Sequence, residues 1–284
     1  MKRSADSRAG AGGSGNAYSR ILEAIFTQRF RPGLERVDFE RREIESVAAR
    51  LGIPLPKNLG DVIYSFRYRQ RLPERIRLAA PPGKSWIIRP AGRSKYSFVA
   101  AAAAQIKPNP SLASTRIPDA TPGIIEMYRL GDEQALLARL RYNRLIDIFT
   151  GITCYALQSH LRTTVDGLGQ VETDELYVGL DRRGVHYVFP VQAKRGDDNI
   201  SIVQIEQDLA MCSAKFPDLV CIPIAACAMK DGLIALFAFE RSPTDGDSGT
   251  VAVTVEKHYI LLPPEEISPD ELRSYSRNRL EGTR

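Results

Sequence analysis

Val171-Glu172-Thr173-Asp174-Glu175-Leu176-Tyr177-Val178, a turn at Asp181-Arg182-Arg183-Gly184, and Val188-Phe189-Pro190-Val191-Gln192-Ala193-Lys194-Arg195 read as two strands of one hairpin. Side chains alternate across a strand, so Glu172 and Asp174 share one face, as do Gln192 and Lys194, while Ala193 faces the other way. Val188, Phe189 and Val191 make the second strand read as central and buried. A lysine at the end of such a strand needs an acid or a phosphate to offset the cost of leaving water. Folding the hairpin at residues 181–184 brings Asp174 and Lys194 to neighbouring positions at one end of a sheet.

An acid, a second oxygen ligand and a lysine are the parts that metal-assisted phosphodiester hydrolysis requires. Mg2+ takes hard oxygen ligands, commonly one or two carboxylates with several waters. Asp174 offers the carboxylate, Gln192 an amide oxygen and Ala193 its backbone carbonyl, with Glu172 a further acid on the face of Asp174. Lys194 can orient water or stabilise charge on the phosphorus.

Outward from the hairpin, residues 132–150 carry Leu136, Leu137, Leu140, Leu145, Ile146 and Ile148 at helical spacing, closed by Gly151. Residues 152–161 then read as a strand, 200–216 as a helix, and 219–228, 233–239 and 251–262 as further strands. This order predicts an α/β domain over 123–263, a central mixed sheet flanked by helices, with 264–284 as a C-terminal extension.

At this spacing Val191-Gln192-Ala193-Lys194-Arg195-Gly196 resembles the Q-x-K variant of the PD-(D/E)xK nuclease superfamily, the restriction-endonuclease-like fold, as found in Mrr-type enzymes. The resemblance covers residues 140–228. It implies a metal-binding aspartate at Asp174, a second ligand at Gln192 and a catalytic lysine at Lys194, in a Mg2+-dependent endonuclease acting on double-stranded DNA. The family often adds a glutamate from the preceding helix; Asn143 stands where that acid is expected, and Glu172, or Glu175 after a one-residue slip, are the substitutes. Gln204 and Glu206 occupy the first turns of the following helix, where related nucleases carry auxiliary polar residues.

The first part of the chain differs in charge. Residues 17–98 hold 17 Lys+Arg against 8 Asp+Glu, whereas residues 99–284 hold 19 against 25. A basic module suits a polyanion, because each neutralised phosphate releases counterions. Helices are expected at 18–30, 39–51 and from Asn58 or Asp61 onward, followed by strand-like pieces at 76–80, 86–90 and 96–100. Three helices and a basic hairpin are the order of a winged helix-turn-helix. That places Arg67, Arg69 and Arg71 near the end of the recognition helix, and Lys84, Arg89, Arg93 and Lys95 on the wing. The expected division is a tail over 1–16, a mostly helical winged-helix-like domain over 17–99, a Pro-rich linker over 100–122, and the nuclease-like domain beyond it.

Four cysteines without a C-x-x-C pair and three scattered histidines argue against a zinc site. The cysteines read as reduced core residues of a cytoplasmic protein. Residues 1–16 lack the apolar stretch of a secretory signal, and no apolar run reaches the ~20 residues that span a bilayer. The glycine-rich 10–15 lacks the Gly-Lys-Ser/Thr of a P-loop. Cutting both strands of a duplex suits a homodimer, which the sequence does not itself specify. Two rivals remain: a non-catalytic DNA-binding regulator on a degenerate nuclease fold, favoured by Asn143 and Gln192 in place of acids, and a protein-interaction scaffold.

Overall fold

The computed structural model describes residues 11–57, 59–68, 70–102, 105–128, 133–195, 200–241 and 251–281. The chain divides into two compact units, one built mainly from residues 1–106 and the other from 107–163, 172–200 and 205–284.

The first unit runs α1 (Ala11–Arg29), β1 (Arg36–Glu40), α2 (Arg41–Leu51), α3 (Gly60–Tyr68), α4 (Glu74–Leu78), β2 (Lys84–Pro90) and β3 (Lys95–Ala102). Its antiparallel sheet has the order β1-β3-β2, with Phe98 of β3 opposite both Val37 and Ile88. Ile21, Leu22, Ile25 and Phe26, spaced along one face of α1, meet Ile44, Ile63, Phe66, Trp86 and Phe98 in a single core. Phe26 packs edge-on against Trp86 and Phe98 at ring-centroid distances of 5.0 and 5.2 Å. Glu40 precedes α2 and its N–H donates to Glu43 Oε2 at 2.8 Å, which satisfies an otherwise orphaned helix-start donor. Gly52, at φ +65°, ends the helix in the left-handed region that glycine tolerates.

Three local expectations change here. Residues 36–40 form a strand, with Val37 and Phe39 alternately buried, where the helix was expected to begin at Phe39. Residues 74–78 are helical rather than extended: Pro73 precedes a single turn whose Ile76 is fully buried. Also, α1 starts at Ala11, inside the stretch expected to be a tail.

The second unit contains β5 (Ser114–Pro118), α5 (Gly123–Tyr128), α6 (Glu133–Tyr142), α7 (Leu145–Thr150), β6 (Thr153–Val165), β7 (Gly169–Leu180), β8 (His186–Arg195), most of α8 (Ile202–Lys215), β10 (Val220–Cys221), β11 (Ile224–Ala228), β12 (Leu233–Arg241), β13 (Val251–Leu262) and α9 (Pro269–Glu281). The short strands β4 (Gln105–Ile106) and β9 (Ile200–Ser201) complete the order. The large sheet runs β5-β13-β12-β11-β8-β7-β6, with β10 also pairing β8. It is mixed: β11 and β10 run parallel to β8, and β5 parallel to β13, while β7–β8, β11–β12 and β12–β13 are antiparallel. Parallel neighbours need a long crossover, and α8 supplies it between β8 and β11.

Leu136, Leu137 and Leu140 of α6 pack on Tyr177, Phe189, Val191, Ala193, Ile224 and Leu236. The helix expected over 132–150 is broken at Asn143–Arg144. Asn143 Nδ2 donates to Arg139 O at 3.0 Å and Arg144 takes φ +49°, so the chain turns before α7. Residues 114–118, expected in the linker, add a strand beside β13, and α9 anchors it: Arg116 N–H donates to Tyr275 Oη at 3.0 Å and Arg116 Nη1 to Glu271 Oε2 at 2.9 Å. Cys154, Cys212 and Cys227 are buried and all four cysteines are free. Among the described residues no helix is long and apolar enough to cross a membrane.

Gly179 of β7 leaves no room for a side chain. A Cβ there would sit 2.7 Å from the Phe189 ring and 2.9 Å from Ile152 Cγ2. Phe189 is fully buried and cannot swing away. Gly179→Ala is therefore expected to lower stability by about 1–3 kcal/mol, the usual range for overpacking, measured by urea unfolding. An unchanged midpoint would show that this contact relaxes freely.

Candidate functional site

The ladder between β7 and β8 runs from Leu180↔His186 to Glu175↔Val191. Beyond it, side chains take over the pairing. Ala193 N–H donates to Asp174 Oδ2 at 2.8 Å, and Gln192 Nε2 donates to the Glu172 carbonyl at 3.2 Å. The two strands thus part at Asp174 and remain stitched by a carboxylate and an amide. Buried backbone groups must find partners, and here the polar side chains provide them.

Behind the stitch lies Asp208 of α8, fully buried. Gln192 Nε2 donates to its Oδ2 at 3.0 Å and its Oδ1 at 3.3 Å, and the Thr173 hydroxyl donates to Oδ1. Burial pushes the Asp208 carboxyl up to about 7; the hydrogen bonds from Thr173 and Gln192 and the charge of Lys194 oppose the rise, and the charge of Asp174 adds to it. Thr173 and Gln192 would point to opposite faces of a regular pleated pair. Both reach Asp208, so the pleat is interrupted where the strands part.

Lys194 is deeply set, its side chain only 13% exposed, with Nζ 3.8 Å from Glu133 Oε1. Glu133 is the first residue of α6. An acid at the start of α6 is thus an ion-pair partner of this lysine. Asn143 is buried elsewhere, donating to Asp119 and Thr121 and accepting from Ala120 N–H.

The structure does not gather every predicted residue. Glu172 turns to Arg162 of β6, with Oε1 3.1 Å from Nη2, rather than to Asp174. Glu175 is buried against the opposite side, accepting from Tyr177 Oη at 2.6 Å and paired with Arg141. Gln204 and Glu206 lie on α8, but the residue of that helix that enters the centre is Asp208. Among the described residues, no group of three or more His, Cys, Asp or Glu side chains is close enough to hold a metal ion. Asp174 brings a carboxylate to the opening, and Gln192 has its amide nitrogen committed to Asp208 and to the Glu172 carbonyl. Ala193 directs its N–H to the β7 side, and in an extended strand its carbonyl faces that side too. This donor set suits a hard cation such as Mg2+ better than zinc.

In the first unit, Arg71, Arg93 and Lys95 are exposed, and Arg67 and Arg89 are half-buried. Lys84 is paired with Glu35 at 2.6 Å. Arg69 lies outside the described residues. Compared with protein-family models, curated proteins and solved structures, the chain gives no significant match.

The raised pKa of Asp208 has a consequence for stability. Below about pH 4 its carboxyl is protonated in both the folded and unfolded chain. Between about pH 4 and 7 the folded protein keeps a proton that the unfolded chain releases, so this group's contribution to stability falls as pH rises through that window. Asp208→Asn retains an acceptor for Thr173 and Gln192 and removes the titration. In metal-free buffer, the melting temperature of the variant should gain on the wild type between pH 4 and pH 8. Parallel profiles would mean that Asp208 is not the proton-binding group.

Proposed function

We propose that the chain is a Mg2+-dependent DNA endonuclease of the PD-(D/E)xK, restriction-endonuclease-like kind, with a winged-helix-like module for duplex binding. The observation that carries this reading is the stitched opening between β7 and β8: Asp174 bound to Ala193 N–H, and Lys194 one residue further, its side chain 13% exposed beside Glu133. A lysine held that deeply suits an anionic substrate. The order α1-β1-α2-α3-α4-β2-β3, with β1 and β2 flanking β3 and α4 a single extra turn, supports the winged-helix part of the reading.

In this reading Asp174, the Gln192 amide oxygen and the Ala193 carbonyl would hold the cation, which when bound supplies Lewis-acid activation of the phosphate and a more acidic water. Lys194 Nζ donates to the attacking water or to a non-bridging phosphate oxygen, stabilising the negative charge that grows as the water oxygen bonds to phosphorus and the ester oxygen departs. Glu133 orients Lys194. Gln192, fixed by Asp208, keeps the opening rigid, so that little reorganisation is needed when substrate arrives. On the first unit, Arg71, Arg93 and Lys95 are the exposed cations available to phosphates.

A non-catalytic DNA-binding protein is the second reading, favoured by the commitment of Glu172 to Arg162 and by the single carboxylate at the stitch. Plasmid cleavage in Mg2+ separates the two. The nuclease reading expects nicking or cutting by the wild type, a loss of about 10²–10³-fold or more in Lys194→Ala, and nearly unchanged duplex affinity in that variant. Binding without cutting, across plasmids of varied sequence and modification, would leave the regulator. For the first unit, Arg93→Ala should reduce the slope of log affinity against log salt by about one. A slope that does not move would take this hairpin out of the interface.

A further inference from the structure

The apolar face of α1, with Ile21, Leu22, Ile25 and Phe26, is used up by the core of the first unit. Arg20, Glu23 and Ala24 recur at spacings of three and four, so they form a second stripe on the same helix. That stripe borders a cleft of about 500 Å³, which Arg50 and Leu51 at the end of α2 and Arg75 of α4 also line. Arg71, Arg93 and Lys95 do not border it. Three guanidinium groups therefore share this cleft with one carboxylate. Glu23 lies 3.8 Å from Arg75, a loose pair whose arginine side chain is 69% exposed. The side chains of Arg20 and Arg50 are exposed and pair with no group among the described residues. Like charges set around one concavity repel each other, and they raise a local potential that draws an anion. A guanidinium fork matches two oxygens of a phosphate. Ala24 and Leu51, half-buried against the core, add apolar carbon to the same cleft.

We propose that this cleft binds a nucleotide, with its phosphates on Arg20 and Arg50, its sugar hydroxyls donating to Glu23, and its base against Ala24 and Leu51. The volume falls in the range of small-molecule sites, roughly 300–1,000 Å³. A carboxylate among the arginines disfavours a continuous run of backbone phosphates. It suits a ligand that carries hydroxyl donors beside its charge, as a ribose does. The site belongs to the first unit alone and does not rest on the hydrolase reading.

The test is calorimetric titration of the full chain with each of the four ribonucleoside triphosphates in metal-free buffer. At least one should bind saturably, at one per chain. Arg20→Ala and Arg50→Ala should each weaken it by about 10-fold or more, the range for losing a hydrogen bond between charged groups. Both side chains are exposed, so the melting temperature should not move. Arg42→Ala removes an exposed arginine of α2 that lies outside the cleft, and it should leave the affinity unchanged. Inorganic triphosphate, which has neither sugar nor base, should bind more weakly than the nucleotide. The proposal is overturned if none of the four binds at millimolar concentration, if Arg42→Ala loses as much as the cleft variants, or if inorganic triphosphate binds as tightly. Displacement of the nucleotide by a duplex oligonucleotide would also overturn it, and would give these arginines to the DNA interface.

Discussion

The hydrogen bond from Ala193 N–H to Asp174 is the constraint on which the centre depends. β8 is a fully interior strand, paired with β7 on one side and with β11 and β10 on the other. If β7 simply departed from it, the backbone N–H of Ala193 would be left unpaired in a buried position, at a cost of about 1–3 kcal/mol. Asp174 takes that donor. The same bond holds one carboxylate oxygen at the edge of the opening and fixes its distance from Lys194 on the neighbouring strand. Stability and site geometry are therefore set by a single interaction, and the carboxylate cannot be removed without disturbing the strands that carry it.

Gln192 and Asp208 form the layer behind. Gln192 serves both a backbone carbonyl of β7 and the buried carboxyl of α8, so it ties the crossover helix to the strand junction. A glutamate at 192 could not donate to either partner and would place a second negative charge against Asp208. The amide is the residue type that this arrangement accepts. Thr173 completes it by giving a second donor to the same carboxyl. Donors from Thr173 and Gln192 converge on this buried carboxyl and oppose the rise in pKa that burial imposes.

Much of this was legible in the sequence. Apolar runs in β8, β11 and β12 gave a buried sheet, the spacing of leucines gave α6, and the turn at 181–184 gave the hairpin of β7 and β8. What escaped has physical reasons. Val37 and Phe39 alternate over too few residues to stand out against the helical pattern that follows them. Ser114–Pro118 is a short polar strand whose burial comes from its neighbour and from α9, not from its own pattern. Asp208 looks like an ordinary polar position on an amphipathic helix; only the tertiary fold shows it enclosed. Glu172 appeared equivalent to Asp174 because a regular pleat puts them on one face, and the regular pleat is what the structure interrupts.

That interruption has a pattern. The turn of Thr173 towards α8 and the end of the β7–β8 ladder at Glu175 fall together at one end of this strand pair. Each alone is a local defect with a cost in regular hydrogen bonding or backbone strain. A fold selected for stability alone would spread such defects or avoid them, and elsewhere β7 and β8 keep a regular antiparallel ladder. Their coincidence beside Asp174 instead parts two interior strands, and Asp208 of α8 enters the gap. Other irregularities of this unit lie apart from it, at the Ala238/Phe239 register shift between β12 and β13 and at the left-handed Arg144 between α6 and α7.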